Sequence, residues 1–322
     1  MLDSSRALWG GIFFSLAAGM MWGLVFVGPL LLPEYPAALH TFGRYLAFGL
    51  IALPLAFLDR VEIQRLSRAD WLAALKLAAI GNVLYYLFLA SAIQRAGGPL
   101  PTMIIGTLPV VIAISANLLS HHRDGRLPWA KLAPPLAVIL LGIACVHHVE
   151  WATLVRKPEA DTTRYISGAA LAVGAVVCWT WYPLKNADWL RAHPDRNPRV
   201  WATAQGLATL PLALLGYGAF WLWTLVTQDP VPMPMPLGPR PLEFMALMMA
   251  MGLFASWLGT LCWNAASQRL PTALAGQLIV FETLAALAYA FWLRGHWPEP
   301  LTQAGIALLV VGVAAGVRIK TL

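Results

Sequence analysis

Charge is what this chain of 322 residues has least of. Asp, Glu, Lys and Arg together make up 11% of it, against ~25% in a typical soluble domain. The apolar set Ala, Val, Ile, Leu, Met, Phe, Trp, Tyr and Cys makes up 59%, and the mean hydropathy is +0.66. A water-soluble fold cannot bury that much apolar surface and still present a charged exterior. The scarcity of charge therefore excludes a soluble enzyme and a disordered chain. Cysteine is nearly absent too. Cys145, Cys178 and Cys262 lie singly inside apolar runs, which excludes a disulfide-stapled secreted module and leaves them as small packing residues. No Walker sequence occurs, so ATP does not drive the chain directly. His121-His122 and His147-His148 are adjacent pairs at the edges of runs. Neighbouring helical residues face different ways, so a chelating site is not expected. Gly97-Gly98-Pro99 reads as a tight turn, not a phosphate cradle. Neither a metal nor a cofactor is expected.

What the chain has is long apolar runs. A membrane span needs about 20 mostly apolar residues. Ten such runs occur, at 8–31, 36–58, 70–93, 99–120, 130–149, 166–189, 200–225, 241–265, 271–293 and 299–317. The first is about twice as long as the apolar core of a signal peptide and no cleavage site follows it, so it reads as a spanning helix. The connections are short except for 150–165 and 226–240, the latter carrying a Pro-Met-Pro-Met-Pro alternation that reads as an extended cap or loop. The net charge of +7 sits in short gaps between runs, which speaks for orientation in a bilayer and against a nucleic-acid partner. With the N-terminus inside, the inner gaps hold 14 Lys and Arg: Arg6, Arg60, Arg65, Arg68, Arg123, Arg126, Lys131, Lys185, Arg191, Arg196, Arg199, Arg269, Arg318 and Lys320. The outer gaps hold 6: Arg95, Arg156, Lys157, Arg164, Arg240 and Arg294. Both termini are expected in the cytoplasm, in a multi-pass protein of the cell's inner membrane.

The chain also matches itself. Leu100-Pro101-Thr102-Met103-Ile104-Ile105-Gly106 returns 170 residues on as Leu270-Pro271-Thr272-Ala273-Leu274-Ala275-Gly276, and the same offset lays Leu136–Ile143 on Ile306–Val313. Gln94-Arg95 returns as Gln268-Arg269 at an offset of 174. At 157, Trp22 falls on Trp179 and Leu53-Pro54-Leu55-Ala56 on Leu210-Pro211-Leu212-Ala213. The reading is an all-α polytopic membrane protein of two inverted five-helix repeats, residues 1–150 and 166–322, joined by an outer linker at 151–165. An odd number of spans per half turns the second half upside down, the arrangement that gives many secondary transporters their two alternating states.

Some residues conflict with a lipid surrounding. Glu282 sits near the middle of the ninth run. An ionised carboxylate there costs a few kcal/mol, so it must face a polar cavity, pair with a cation or keep a proton. It reads as a proton-coupling site or the counter-ion of a cationic substrate, against a structural hydrogen bond between helices. Arg44 lies roughly 12 Å into the second run at 1.5 Å per residue. It can snorkel to headgroups, pair with Glu282, or bind a substrate carboxylate through both prongs of its guanidinium. Lys76 and Lys185 lie close enough to span ends to snorkel. At the 174 offset, Asn82, Tyr85 and Tyr86 fall on Ser256, Gly259 and Thr260, each set on one helix face, with Leu89 on Trp263 and Asn264 beside it. These polar or small faces read as cavity lining, although small residues also serve ordinary helix packing. Of 15 Trp, many stand near span ends as an interfacial belt. Trp22, Trp179, Trp181, Tyr182, Trp257 and Trp263 lie deeper and could cage a cation or stack on an aromatic substrate.

With Trp22-Gly23, Arg44, Trp179 with Lys185, Glu282, and the helices of Gly142 and Gly312, the whole chain resembles the drug/metabolite transporter superfamily, in its ten-helix branch of EamA-type permeases. The resemblance implies a cavity at mid-membrane lined by spans 1, 3, 4, 6, 8 and 9. It implies a secondary active transporter, an exporter of small metabolites such as amino acids or amphiphilic compounds, with proton coupling or exchange. An organic-cation or drug exporter is the alternative; a membrane-embedded transferase or a non-transporting sensor is the remote one. The expected substrate-binding set is Glu282, Trp22, Asn82, Tyr85, Tyr86, Trp179, Tyr182, Trp263 and Asn264, with Arg44 as ion-pair or carboxylate partner. The expected partners are a small-molecule substrate, protons and membrane lipids, and the chain is expected to act as a monomer. Members often carry Glu-Pro in the ninth span. Here the pair is Glu282-Thr283 while Leu108-Pro109 occurs in the fourth, so a proline kink is expected in one half only.

Overall fold

The computed structural model describes residues 2–96, 99–119, 128–155, 162–227, 233–295 and 297–319, and among them every regular element is a helix. Apart from the short helix Arg60–Gln64, in chain order these are α1 (Leu2–Leu31), α2 (Ala37–Leu58), α3 (Arg68–Ala96), α4 (in two pieces, Pro99–Gly106 and Leu108–Leu119) and α5 (Trp129–Val155). Then follow α6 (Thr162–Ala192), α7 (Pro198–Thr227), α8 (Pro241–Ser267), α9 (in two pieces, Thr272–Leu278 and Val280–Arg294) and α10 (Pro300–Val317). Among the described residues, nine helices are long and apolar enough to cross a membrane, and Leu108–Leu119 is a shorter apolar one. All ten expected runs are thus helical. The connection expected over 150–165 is shorter, since α5 runs to Val155 and α6 begins at Thr162. His121, His122, Arg123, Arg126, Arg156, Lys157 and Lys320 lie outside the described residues.

Local chemistry sets the helix ends. Ser67 and Asp70 form a reciprocal capping box that starts α3. Pro241 and Pro300 open α8 and α10 in the first turn, where a missing N–H costs nothing. Gly295 closes α9 at φ 70°, a left-handed conformation that a side chain would disfavour. In the described part of the loop after α7, residues 233–240, the chain turns: Gly238 N–H donates to the carbonyl of Pro234 at 2.7 Å.

The outside of the bundle is as apolar as the inside. Phe13, Leu53, Phe57, Val177, Leu215, Leu222 and Val311 are all exposed, which is the surface a protein presents to lipid tails. Inside, contacts follow the repeat. α1 packs on α9 and α8, and correspondingly α6 packs on α4 and α3; α2 packs on α8 as α7 does on α3. The pairs α2–α7, α4–α9 and α5–α10 join each helix to its own mate. Individual residues obey the same relation. A Cβ on Gly142 would meet the Gly305 carbonyl at 2.9 Å and Leu309, and one on Gly312 would meet the Pro135 carbonyl at 3.0 Å and Ile139. At the 170 offset those are the same contacts made twice.

Two irregularities are also duplicated. α3 is π-helical over Ala78–Leu84 and α8 over Met251–Leu258, repeat-related stretches at mid-helix. α4 breaks at Thr107, and α9 breaks at Ile279. The expectation of a kink in one half only is therefore corrected. In α9 the ladder tightens to three-residue bonds, with Ile279 N–H donating to Gly276 and Glu282 N–H to Ile279, and no proline is needed.

Polar and aromatic contacts tie the two halves together at both ends of the bundle. At the end holding the N-terminus, Arg199 pairs with Asp59, and Glu62 pairs with Arg65 at 2.8 Å and Arg196 at 3.8 Å. At the opposite end the Tyr35 ring stacks on Phe244 at 4.7 Å. Its hydroxyl donates to the Leu237 carbonyl at 2.9 Å and accepts from Arg240 N–H at 2.8 Å.

Candidate functional site: a polar cavity between the halves

At the centre of the bundle, side chains from six helices surround one small cavity. Its lining is Trp22 and Val25 of α1, Arg44 and Tyr45 of α2, Asn82 and Tyr85 of α3, Trp179 of α6, Ala255, Ser256 and Thr260 of α8, and Glu282 of α9. The free space is about 10 Å³, the room of roughly one water molecule. Of the expected lining helices, α4 contributes none of the described lining residues, and α2 takes part instead. The α4 position that matches Glu282 is Ile112, fully buried against Gly276 of α9, so this helix packs one layer out.

The two charged residues are deeply buried, Arg44 at 5% exposure and Glu282 at 4%. Arg44 does not snorkel. Its Nε donates to Ser256 Oγ at 2.9 Å and its Nη2 to the Ala255 carbonyl at 3.0 Å. Its guanidinium carbon lies 4.9 Å from the ring centres of both Tyr45 and Tyr86, within cation–π range of two mutually perpendicular rings. Glu282 sits in the first turn after the α9 break, at the positive end of that segment's dipole. Among the described residues no ion pair joins Arg44 to Glu282, although both line the same space. Four of the lining atoms are buried with no hydrogen-bond partner: Arg44 Nη1, Glu282 Oε2, Tyr85 OH and Trp179 Nε1. A buried polar atom left unpaired costs about 1–3 kcal/mol, so four around one cavity mark a place built for a polar occupant.

The aromatics form a continuous wall. Trp179 stacks on Tyr85 at 4.6 Å and on Tyr182 at 5.0 Å, and Trp22 meets Trp179 edge-on at 5.1 Å and Trp263 at 5.3 Å. Gly259 makes room for Trp22, since a Cβ there would lie 2.7 Å from the indole nitrogen.

Of the expected site residues, Glu282, Arg44, Trp22, Asn82, Tyr85 and Trp179 thus come together at the cavity. Tyr86, Tyr182 and Trp263 stand behind them. Asn264 does not join. It accepts from Asn186 at 2.9 Å in a network between the cavity and the N-terminal end. There Asn186 also accepts from Trp201 and Gln205, and Gln205 from Tyr182. Sequence reasoning missed Tyr45, Val25 and Ala255 in the lining, and the whole Asn186–Gln205 network. The signal for the network was two amides inside apolar runs. Lys185 pairs with Asp188 at 3.1 Å on the surface and takes no part in the cavity.

The comparisons with known proteins agree with this architecture. Residues 9–146 match the EamA-like transporter family. The inner membrane protein YtfF of Escherichia coli (strain K12) is 57% identical over 310 residues, which is 96% of this chain and 95% of that protein. The chain belongs to the EamA-like transporter family. One solved crystal structure superposes with a TM-score of 0.67 over 95% of this chain and 96% of its own, at 17% identity; a likeness at that identity concerns the fold alone. As a family member the chain is a polytopic membrane transporter, and the central cavity is the candidate for its transport site.

Proposed function

We propose that the chain is a secondary active transporter that exports small metabolites by alternating access, with amino-acid-like zwitterions as the leading substrate class. The two halves would be residues 1–150 and 166–322, joined through 151–165. The single observation that carries this reading is one unpartnered guanidinium nitrogen, Arg44 Nη1, and one unpartnered carboxylate oxygen, Glu282 Oε2, lining one mid-membrane cavity. Once the helices part to widen the space, a zwitterion satisfies both, its carboxylate at Arg44 and its ammonium at Glu282. An organic cation is the second reading, favoured by the aromatic wall of Trp22, Trp179 and Tyr85 beside an acid. It would leave Arg44 facing a like charge.

Glu282 is the group proposed to couple transport to protons. The other charged or titratable side chains around the cavity are Arg44, Tyr45 and Tyr85. A carboxylate that takes either a proton or an ammonium links the two fluxes. The relative YtfF is named an inner membrane protein, and the same location is proposed here, with both termini in the cytoplasm on the excess of Lys and Arg in the inner gaps. The chain is proposed to act as a monomer, since both halves are already fused.

The test is flux in proteoliposomes of the purified protein, with the twenty proteinogenic amino acids as probes and an imposed pH gradient. The wild type should respond to the gradient. Glu282→Gln should stay folded and lose that response. A Glu282→Gln protein whose flux follows the gradient as the wild type's does would refute the coupling role.

A further inference from the structure

The π-helical stretch of α8 does something specific to Arg44. In an α-helix the N–H of Gly259 would donate to the carbonyl of Ala255, four residues back. Here it reaches instead to Phe254, five residues back. The Ala255 carbonyl is thereby released from its helical donor, and it accepts Arg44 Nη2. The next residue, Ser256, is 2% exposed and accepts Arg44 Nε through its hydroxyl. Two adjacent oxygens on one turn thus hold two of the three guanidinium nitrogens. The third, Nη1, is left buried and unpartnered at the cavity. The Tyr45 and Tyr86 rings, edge to face with centres 6.3 Å apart, pack against adjacent sides of the guanidinium.

We infer that Ser256, with the carbonyl that the π turn frees at Ala255, is a positioning residue that aims the Arg44 guanidinium at a carboxylate of the transported substrate. This inference rests on the transport reading above and deepens it, because it assigns the substrate's anionic group to a named arm of the site. The irregular turn is then a functional part of α8. Its repeat mate in α3 is built alike: Tyr85 N–H reaches back five residues to Ile80 and bypasses Gly81. Position 44 itself is matched by Trp201 at the 157 offset, so only one half carries the cationic arm. An asymmetric cargo needs such a one-sided arm.

The experiment compares wild type, Ser256→Ala, Ser256→Thr, Arg44→Lys and the double variant Ser256→Ala/Arg44→Lys in proteoliposomes. The probe is whichever of the twenty proteinogenic amino acids the wild type moves fastest. Half-maximal thermal stabilisation by that amino acid replaces KM where flux is too low to fit. Ser256→Ala should raise KM about tenfold, the loss of one charge-assisted hydrogen bond, with kcat within about twofold. Ser256→Thr keeps the oxygen and should hold the wild-type KM. Lysine has no Nε–H to hold, so in the Arg44→Lys background Ser256→Ala should change KM less than about twofold. An Ala effect as large with lysine at 44 as with arginine, or one that falls on kcat and leaves KM untouched, overturns the positioning role while the transport reading stands. A wild type that moves none of the twenty overturns both.

Discussion

At the residue scale, glycines show how tightly the site is fitted. A Cβ on Gly81 would fall 2.2 Å from Tyr182. Tyr182 cannot retreat, because it stacks on Trp179 and donates to Gln205 at 2.8 Å. Gly81→Ala should therefore destabilise the protein by about 1–3 kcal/mol, the usual cost of overpacking a close contact, and it should depress flux by moving Trp179. Gly218 in α7 has nothing within 4 Å of its missing Cβ. Gly218→Ala removes freedom from the unfolded chain only and should stabilise by about 0.4–1 kcal/mol. Detergent-phase melting of the two variants beside the wild type checks both signs, and equal melting temperatures would mean that Gly81 is less confined than its neighbours indicate. Arg44 and Glu282 were legible in the sequence because a charge in the middle of an apolar run has few places to go. Their partners were not legible. Whether Arg44 meets Glu282, lipid or α8 depends on the rotation of α2 about its axis, and hydropathy leaves that rotation undetermined. The released Ala255 carbonyl has no sequence signature at all.

At the element scale, the helices of the second half are bolted together by side-chain amides. Asn186 of α6 is fully buried. It accepts from Trp201 at 2.9 Å and from Gln205 at 3.1 Å on α7, and donates to Asn264 of α8 at 2.9 Å. Removing it leaves three groups unpaired at once. Interhelical hydrogen bonds in membranes are individually modest, averaging about 0.6 kcal/mol. Asn186→Ala should therefore cost about 2 kcal/mol, and Asn264→Ala, which loses the one short bond and a long one to the Pro198 carbonyl at 3.4 Å, about half as much. Denaturant unfolding in mixed micelles gives both values, and an Asn186→Ala protein as stable as wild type would mean the network is incidental. The ten runs themselves were legible, with helix ends up to six residues beyond the expected bounds, as at Leu2 and Val155, since span length is set by bilayer thickness. The breaks were only half legible. Pro109 follows the break of α4 in the sequence, whereas α9 breaks at Ile279 on two three-residue bonds that no residue type announces.

At the scale of the whole molecule, the duplication read from a few matched tetrads and heptads reappears as matched contacts. Gly142 on Gly305 and Gly312 on Pro135 are one contact made twice. Tyr85 of the first half stacks on Trp179 of the second, while Gly259, its mate in the second half, makes room for Trp22 of the first. The substitution of tyrosine by glycine at matched positions is where the symmetry is spent to build a one-sided site. Two such halves can rock about the cavity only if the closures at both ends come apart in turn. Each closure joins one half to the other: Asp59 of α2 to Arg199 of α7 at the N-terminal end, and Glu34 beside α1 to Arg240 before α8 at 3.4 Å at the opposite end. In a background free of Cys145, Cys178 and Cys262, cysteines at 59 and 199, or at 34 and 240, can be bridged by a short cleavable cross-linker. Alternating access requires each end to open once per cycle, so either bridge alone should stop turnover, and reductive cleavage should restore it. The same bridges should leave binding of the transported amino acid measurable by thermal stabilisation, because the cavity stays reachable from the end that remains free. Flux that persists after complete bridging at one end would mean that the halves do not move against each other there, and that the duplicated fold serves some use other than exchange between two facing states.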